Sequence, residues 1–358
     1  MSPSTALRAG LPPARRGYAM PAEWAPHRAT WIGWPHNRTD WPGKFEPIPW
    51  AYAEIVRVLT RNERVCILVQ NGAEEKRARG VLQKAGVDLG RVDFFRIPTD
   101  RVWTRDSGAI FVKNKEGKRI ATHWKFNGWA KYPNHKRDDQ VAPQIAKAAR
   151  VPEYPVTDDG REIVMEGGAI DVDGRGTLMA TEECLLSDVQ ARNPGLGREG
   201  IERVFADVLG IKHVIWLGRG IVGDDTHGHI DDLARFVAPG HILLCDEKNP
   251  KDENYAILNE NRERLQSARD AWGRRPRVIP LPMPSPVVFD GQRVPASYAN
   301  FYIANGVVIV PTFNDPKDRV ALGLLAELFT RHTVVGIHCV DFVWGLGTLH
   351  CATQQEPA

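Results

Sequence analysis

The chain lacks any run of 18 or more apolar residues, so no membrane-spanning helix is expected from it. Its first 20 residues carry Arg8, Arg15 and Arg16 and a proline pair between Leu11 and Ala14, without the apolar core of a secretory signal. Residues 1–19 are therefore expected to form a mobile or loosely packed lead, and the cytoplasm is the expected location. Cysteine is scarce and odd in number: Cys66, Cys184, Cys245, Cys339 and Cys351, with no C-x-x-C. A disulfide scaffold and a thiolate zinc site both lack support. Cys66 in RVCILVQ and Cys245 in HILLCDE read as core-strand thiols, and Cys184 and Cys339 as structural. No G-x-G-x-x-G opens a helix after the first strand, and no G-x-x-x-x-G-K-S/T occurs, so nucleotide binding has neither usual warrant. Net charge is only +3 and long basic runs are missing, which argues against nucleic acid.

What is present is an ordinary globular balance. The chain has 358 residues, 42% hydrophobic and 25% charged, enough for one large α/β domain or two average ones. Strands are expected at 64–70, 92–98, 162–168, 213–218, 241–247, 277–283 and 305–313, where β-branched and aromatic residues cluster. Helices are expected at 73–85, 141–150, 197–209, 253–271 and 316–330. The last would begin with Asp315 as N-cap and Pro316 at the first helical position, with Val320, Leu324 and Leu328 on its apolar face. Asp173-Gly174 and Asp290-Gly291 mark hairpins. Helices thus alternate with strand pairs, which is compatible with a repeated ββαβ unit, although hydrophobicity alone does not establish one.

Four segments set unusual polar groups beside strands or tight turns. They are RVWTRDSGAIFV (Trp103, Asp106), VMEGGAIDV (Glu166, Gly167, Gly168), GDDTHGHIDDLARF (Asp225, His227, His229, Asp231, Asp232) and WGLGTLHCATQQ (Gly345, Gly347, His350, Cys351). Singly, each has a plain reading: Asp106 caps a turn, Glu166 braces the glycines, Cys351 and Trp103 pack in the core. Together they suit another task. A thiolate with a histidine can attack an electron-poor carbon, and carboxylates can hold a cation. A guanidinium is planar, carries five N–H donors and one charge, and two carboxylates can grip its edges so that the central carbon meets sulfur. His350 adjoins Cys351, and in a strand the two side chains would face opposite sides, making His350 a poor primary base. Trp103 can offer its ring face to a planar cation. The spacing is suggestive: 60 residues from Asp106 to Glu166, 63 from Glu166 to His229, and 122 from His229 to Cys351, close to twice that interval.

The motifs MPAEWAPHRATWIGWP (20–35), WTRDSGAIF (103–111), EGGAIDVDGRGT (166–177), TEECLLS (181–187), RNPG (192–195), GDDTHGHIDDLARF (223–236), PASYANFYIANGVVIVPTF (295–313) and LHCATQQEP (349–357) run in order over nearly the whole length after residue 20. In these the chain resembles the agmatine deiminases of the microbial peptidylarginine-deiminase superfamily. The resemblance implies an α/β fold, a five-bladed α/β propeller (the pentein fold) built from ββαβ-type modules, as a single catalytic domain over 20–358. It implies Cys351 as nucleophile, His229 as general acid and base, Asp106 and Asp231 as guanidinium ligands, and Glu166 as support for His229. Trp103 is expected at the substrate, and Asp225, Asp232, Gly347 and His350 around it. No cofactor or metal is expected. The expected partner is a small cationic guanidine, with no nucleic acid or membrane, and a homodimer is expected. Agmatine, arginine, peptidyl-arginine and other guanidino compounds stay open as substrates. The chain departs from the common pattern at Leu346 and Thr348 within G-L-G-T-L-H-C, at His227 and at Ala109. Two other readings remain: a metal hydrolase using the His227-x-His229-x-Asp231-Asp232 run, and a cation-binding protein without turnover.

Overall fold

A computed structural model describes residues 11–358. Five times the chain lays down two antiparallel strands, crosses over through a helix, and adds a third strand parallel to the second. Four of these groups are consecutive. Ile110–Lys113 and Arg119–His123 are followed by helix Val141–Ala149 and strand Glu153–Pro155. Asp171–Val172 and Thr177–Thr181 are followed by Gly197–Leu209 and His213–Leu217. Ala234–Ala238 and His241–Asp246 are followed by Asn254–Ser267 and Arg277–Pro282. Tyr302–Ala304 and Val307–Thr312 are followed by Asp318–Leu328 and Thr333–His338. The remaining group joins the two ends of the chain: Thr353–Pro357 pairs antiparallel with His27–Gly33, which runs parallel to Arg64–Val69 and, beyond it, Val92–Arg96.

This corrects the expected architecture. The class is α/β with several sheets, but among the described residues strand pairing forms seven separate sheets of two to four strands, and none of these closes into a ring or propeller. The physical reason lies in the crossovers: each helix returns its chain to the far edge of its own sheet, so ladders end after three or four strands. Neighbouring sheets meet through side chains, in three buried apolar clusters, rather than through backbone hydrogen bonds.

Local chemistry accounts for most boundaries. Asn71 caps helix Gly72–Lys84 by accepting from the backbone N–H of Ala73 and Glu74, each at 3.0 Å. Gly210, at φ 72°, ends helix Gly197–Leu209 in the left-handed conformation. Asp290 and Gly291, at φ 48° and 76°, turn the ribbon Val288–Phe289/Gln292–Arg293. Three expectations fail locally. The run 162–168 is not one strand: Arg161–Glu162 pairs briefly with Thr157–Asp158, and Gly167–Ala169 is a helical turn. The last helix starts at Asp318 rather than Pro316. Asp315 caps the preceding turn, accepting from Lys317 N at 2.8 Å, and Val320 is 58% exposed while Ala321 and Leu325 are buried. Helix Ile48–Leu59 escaped notice because Pro47 and Pro49 flank its start, where proline is tolerated, and it buries Tyr52, Ile55, Val56 and Leu59. Residues 1–10 of the expected lead lie outside the described residues. Within the rest, Pro13–Arg16 form a helical turn, Tyr18 is buried, and Ala19 and Lys113 exchange backbone hydrogen bonds at 3.0 and 2.9 Å. Among the described residues no helix is long and apolar enough to cross a membrane.

Candidate active site

The chemistry-bearing residues share one position in the fold. Each sits on the turn just before the first strand of a group. Asp106 is in Thr104–Ser107, ahead of Ile110–Lys113. Glu166 heads the turn Gly167–Ala169, and His229 heads Ile230–Asp232, which contains Asp231. Asn300 precedes Tyr302–Ala304, and Cys351 precedes Thr353–Pro357. Five turns from distant parts of the chain thus meet, and every one of these side chains is buried.

Their geometry is specific. Cys351 Sγ lies 3.6 Å from Asp231 Oδ2 and accepts a hydrogen bond from Asn300 Nδ2 at 3.1 Å. Asp106 accepts from Trp129 Nε1 at 2.9 Å on one oxygen and from Gly168 N at 3.1 Å on the other. His229 is ringed by carboxylates: Nδ1 is 3.9 Å from Asp106 Oδ1 and from Asp231 Oδ1, and Nε2 is 3.8 Å from Glu166 Oε2. Glu166 is itself fixed by Arg192, whose Nε donates to Oε1 at 3.0 Å. Both His229 nitrogens, Glu166 Oε2 and Asp231 Oδ1 are buried without a hydrogen-bond partner. Interiors rarely tolerate such a cluster unless it serves a ligand or a reaction. Asp106 and Cys351 line a cavity of about 220 Å³ together with Trp103, Trp129 and Gly347.

Proton affinities follow from this crowding. Burial raises Asp106 to about 6, with Asp231 and Glu166 adding to the rise and His229 opposing it. Burial would also raise Glu166, but the Arg192 charge and the contact with His229 hold it down at about 2. Asp231 faces the same burial, and the hydrogen bond from His350 keeps it below the ordinary carboxylate value. Burial favours neutral His229, yet Asp106, followed by Cys184 and Glu166, raises it well above the usual imidazole value. The Cys351 thiol is pushed far up by burial and then by Asp231, Asp232 and Asp106. The resting pair is therefore a thiol and an imidazolium, and a bound cation would offset the carboxylates that oppose the thiolate.

The family profile described as Porphyromonas-type peptidyl-arginine deiminase matches residues 19–357. The chain belongs to that family. It is 38% identical to the agmatine deiminase of Stutzerimonas stutzeri (strain A1501) and 36% identical to that of Pseudomonas aeruginosa (strain LESB58), in both cases over 97% of each chain. The solved structure of Enterococcus faecalis agmatine deiminase superposes with a TM-score of 0.90 at 32% identity, covering 98% of each chain.

Among the other residues expected at this deiminase-family site, Trp103 lines the cavity and packs against Trp41 and Phe342, with ring centroids 5.6 and 6.2 Å away. Gly347 packs closely here: a Cβ there would come 3.0 Å from the Trp103 ring and 3.1 Å from Cys351 Cβ, so either neighbour would have to shift by a few tenths of an ångström. Asp225 also lines the cavity and is held by Lys131 and by Tyr132 Oη, the latter at 2.6 Å. Asp232 is buried with Asp231 and Cys351, their ligand atoms within 4.8 Å of one another, and burial with Asp231 pushes its carboxyl well up. His350 lies between Asp231 Oδ2 and Glu23 Oε2, each at 2.7 Å. His227 does not join His229. Its Nε2 lies 3.3 Å from Ser187 Oγ, so the H-x-H-x-D-D run does not converge on one point. Buried donor groups do meet as Glu166, Cys184 and His229, and as Asp231, Asp232 and Cys351. Arg192 already occupies the first set, and the second includes the sulfur itself.

Sequence reasoning missed Glu23, Trp129, Arg192 and Asn300. One signal was available for Asn300. The doubled interval between His229 and Cys351 leaves room for one more turn of the same kind, and Asn300 lies on it.

Proposed function

We propose that the chain is an agmatine deiminase, converting agmatine and water to N-carbamoylputrescine and ammonia. The observation that carries the reading is the 3.6 Å approach of Cys351 Sγ, which lines a cavity with Asp106, to the buried Asp231, near a buried histidine whose nitrogens are unpartnered. Asp106 and Asp231 hold the guanidinium, and Trp103 covers its face. Substrate charge favours the Cys351 thiolate, which Asn300 Nδ2 also supports; the thiol proton is released to solvent as the cation binds, and sulfur attacks the guanidino carbon. The tetrahedral adduct is neutral. Protonated His229 gives its proton to one amino nitrogen, ammonia departs, and a cationic thiouronium remains on Cys351. Neutral His229 then takes a proton from water, hydroxide adds to the same carbon, and the neutral adduct collapses, breaking the C–S bond and passing the hydroxyl proton to sulfur, so that the ureido product leaves with Cys351 again a thiol and His229 again protonated. Glu166, ionised against Arg192, supports His229 in both protonation states.

The sequence relatives favour agmatine over arginine or peptidyl-arginine. The reading also includes a cytoplasmic polyamine-forming setting, which suits a chain whose five cysteines are all free and buried, and a homodimer, which sedimentation of the purified chain checks. The deciding assay follows ammonia and ureido product from a panel of agmatine, arginine, methylated arginines and an arginyl peptide. Agmatine should lead in kcat/KM, with no need for added metal after exhaustive chelation. Turnover of arginine but not agmatine would reverse the substrate assignment. Binding of agmatine without ammonia release would leave a binding protein instead. Cys351→Ser and His229→Ala should each abolish most turnover.

A further inference from the structure

Behind the site runs a buried chain of charge that the reaction as written does not use. His350 Nδ1 is 2.7 Å from Asp231 Oδ2, and His350 Nε2 is 2.7 Å from Glu23 Oε2. Both partners are carboxylate oxygens, so the ring bridges two acidic groups through its two nitrogens. Glu23 has little freedom to move. Its Oε1 accepts from Ile303 N at 2.8 Å and lies 2.9 Å from Arg235 Nη2, while Arg105 Nη2 is 3.6 Å from Oε2. Glu23, His350 and Asp231 are all buried. The chain ends asymmetrically: Asp231 Oδ2 meets both His350 Nδ1, at 2.7 Å, and Cys351 Sγ, at 3.6 Å, whereas Oδ1 faces His229 and has no hydrogen-bond partner.

We infer that Glu23 is a positioning residue for guanidinium capture: acting through His350, it turns the Asp231 carboxylate so that Oδ1 is left for the substrate. The inference rests on the deiminase reading of the Cys351 site. An unanchored Asp231 carboxylate could rotate about its last bond and share its oxygens between the substrate, His229 and the sulfur. Anchored on one oxygen, it presents a single acceptor in a fixed direction, which is what an edge-on grip on a planar cation requires. Burial opposes ionisation of Glu23, but Arg235, His350 and Arg105 together hold its carboxyl well below the ordinary range, so the far end of the chain stays negative.

The test uses two readouts. Agmatine binding is measured by calorimetry in the Cys351→Ala background, and kcat and KM are measured with Cys351 intact, with Tm recorded for every variant. His350→Ala should raise Kd and KM about 10- to 100-fold, as expected for a lost hydrogen bond to a charged group, with a smaller change in kcat. His350→Asn, whose amide can replace the Nδ1 donor but does not reach Glu23, should recover much of that loss. Glu23→Gln should weaken binding about tenfold when His350 is present and less than about twofold on top of His350→Asn, because the two act in series. Glu23→Asp keeps the charge beside Arg235 and Arg105 while withdrawing from His350, and stands in if Glu23→Gln does not fold. Equal losses from the Glu23 variant in both backgrounds, or a fall in kcat with Kd and KM unchanged, would overturn the inference. If Cys351→Ala alone binds no guanidine compound, the deiminase reading fails and takes the inference with it. If it binds agmatine and the Glu23 and His350 variants bind equally well, only the inference fails.

Discussion

Gly168→Ala is the sharpest perturbation of this site. Gly168 does not need glycine's left-handed freedom, so alanine would bring no backbone penalty of that kind. What it brings is one methyl group, placed 2.5 Å from His229 Nδ1 and 2.9 Å from Asp106 Oδ1. Ordinary contact needs about 1 Å more, and both neighbours are buried on rigid turns. Either His229 rotates away from Asp106 and Asp231, or the turn retreats and loses the bond from Gly168 N to Asp106 at 3.1 Å. Overpacking of this kind typically destabilises by about 1–3 kcal/mol. A displacement of about 1 Å in a catalytic group costs about 100-fold in rate. The expected outcome is kcat for agmatine down about 100-fold with a Tm loss of several degrees, read by ammonia release and calorimetry on the same preparation. Gly80→Ala is the control: it lies in helix Gly72–Lys84 with nothing near the added methyl, and it should leave activity unchanged and Tm equal or slightly higher. Gly168→Ala with kcat within about threefold of wild type would refute the placement of His229 against this turn.

Three further outcomes follow from the same geometry. Asp106 sits at about 6 in the free protein, so its negative charge is present above that pH and lost below it. kcat/KM should fall about tenfold per pH unit on the acid side of that value, whereas kcat, governed by the complex with a bound cation, should hold to lower pH; a flat kcat/KM through pH 6 would contradict this. The Cys351 thiol is pushed up by burial and by Asp231, Asp232 and Asp106, so its alkylation by iodoacetamide should still be accelerating above the ordinary cysteine value of about 8.5, and a plateau at or below that value would show an already ionised sulfur. Arg192→Ala leaves Glu166 charged, buried and unpaired, which should destabilise by about 3–5 kcal/mol in denaturant melts. Adding Glu166→Gln should restore much of that stability without restoring kcat, and a double variant as unstable as the single one would count against the pairing.

The segments that meet at the candidate site were conspicuous in the sequence because each is short and local, while the roles expected of their residues came from the family resemblance. Asp106, Glu166, His229, Asp231 and Cys351 each lie in a polar turn abutting an apolar strand, and such a turn is conspicuous in any sequence. Asp106, Glu166, His229, Asn300 and Cys351 follow one another at intervals of 60, 63, 71 and 51 residues because each interval spans one group of two strands, a helix and a strand. The five longer helices beyond residue 60 were legible for the same reason, although the last starts later and buries a different face than expected, and the short helices Thr104–Ser107 and Glu182–Leu186 were not anticipated. Helix Ile48–Leu59 was not, because its flanking prolines obscured a start that proline in fact permits.

Other features needed the third dimension. Glu23 meets His350 across 327 residues, Asn300 reaches the sulfur across 51, and Trp129 reaches Asp106 across 23. No periodicity links such partners, because a hydrogen bond depends on distance in space and a sequence records only order along the chain. Strand pairing is equally non-local: the last strand, Thr353–Pro357, completes the sheet begun at His27–Gly33, and the open sheets replace the closed ring that the resemblance had suggested. Residue types alone determined that a thiol, an imidazole and several carboxylates were available to meet a flat cation. Packing alone decided which carboxylate oxygens are left without a partner, that His229 lies among three carboxylates, and that His350 bridges Asp231 and Glu23.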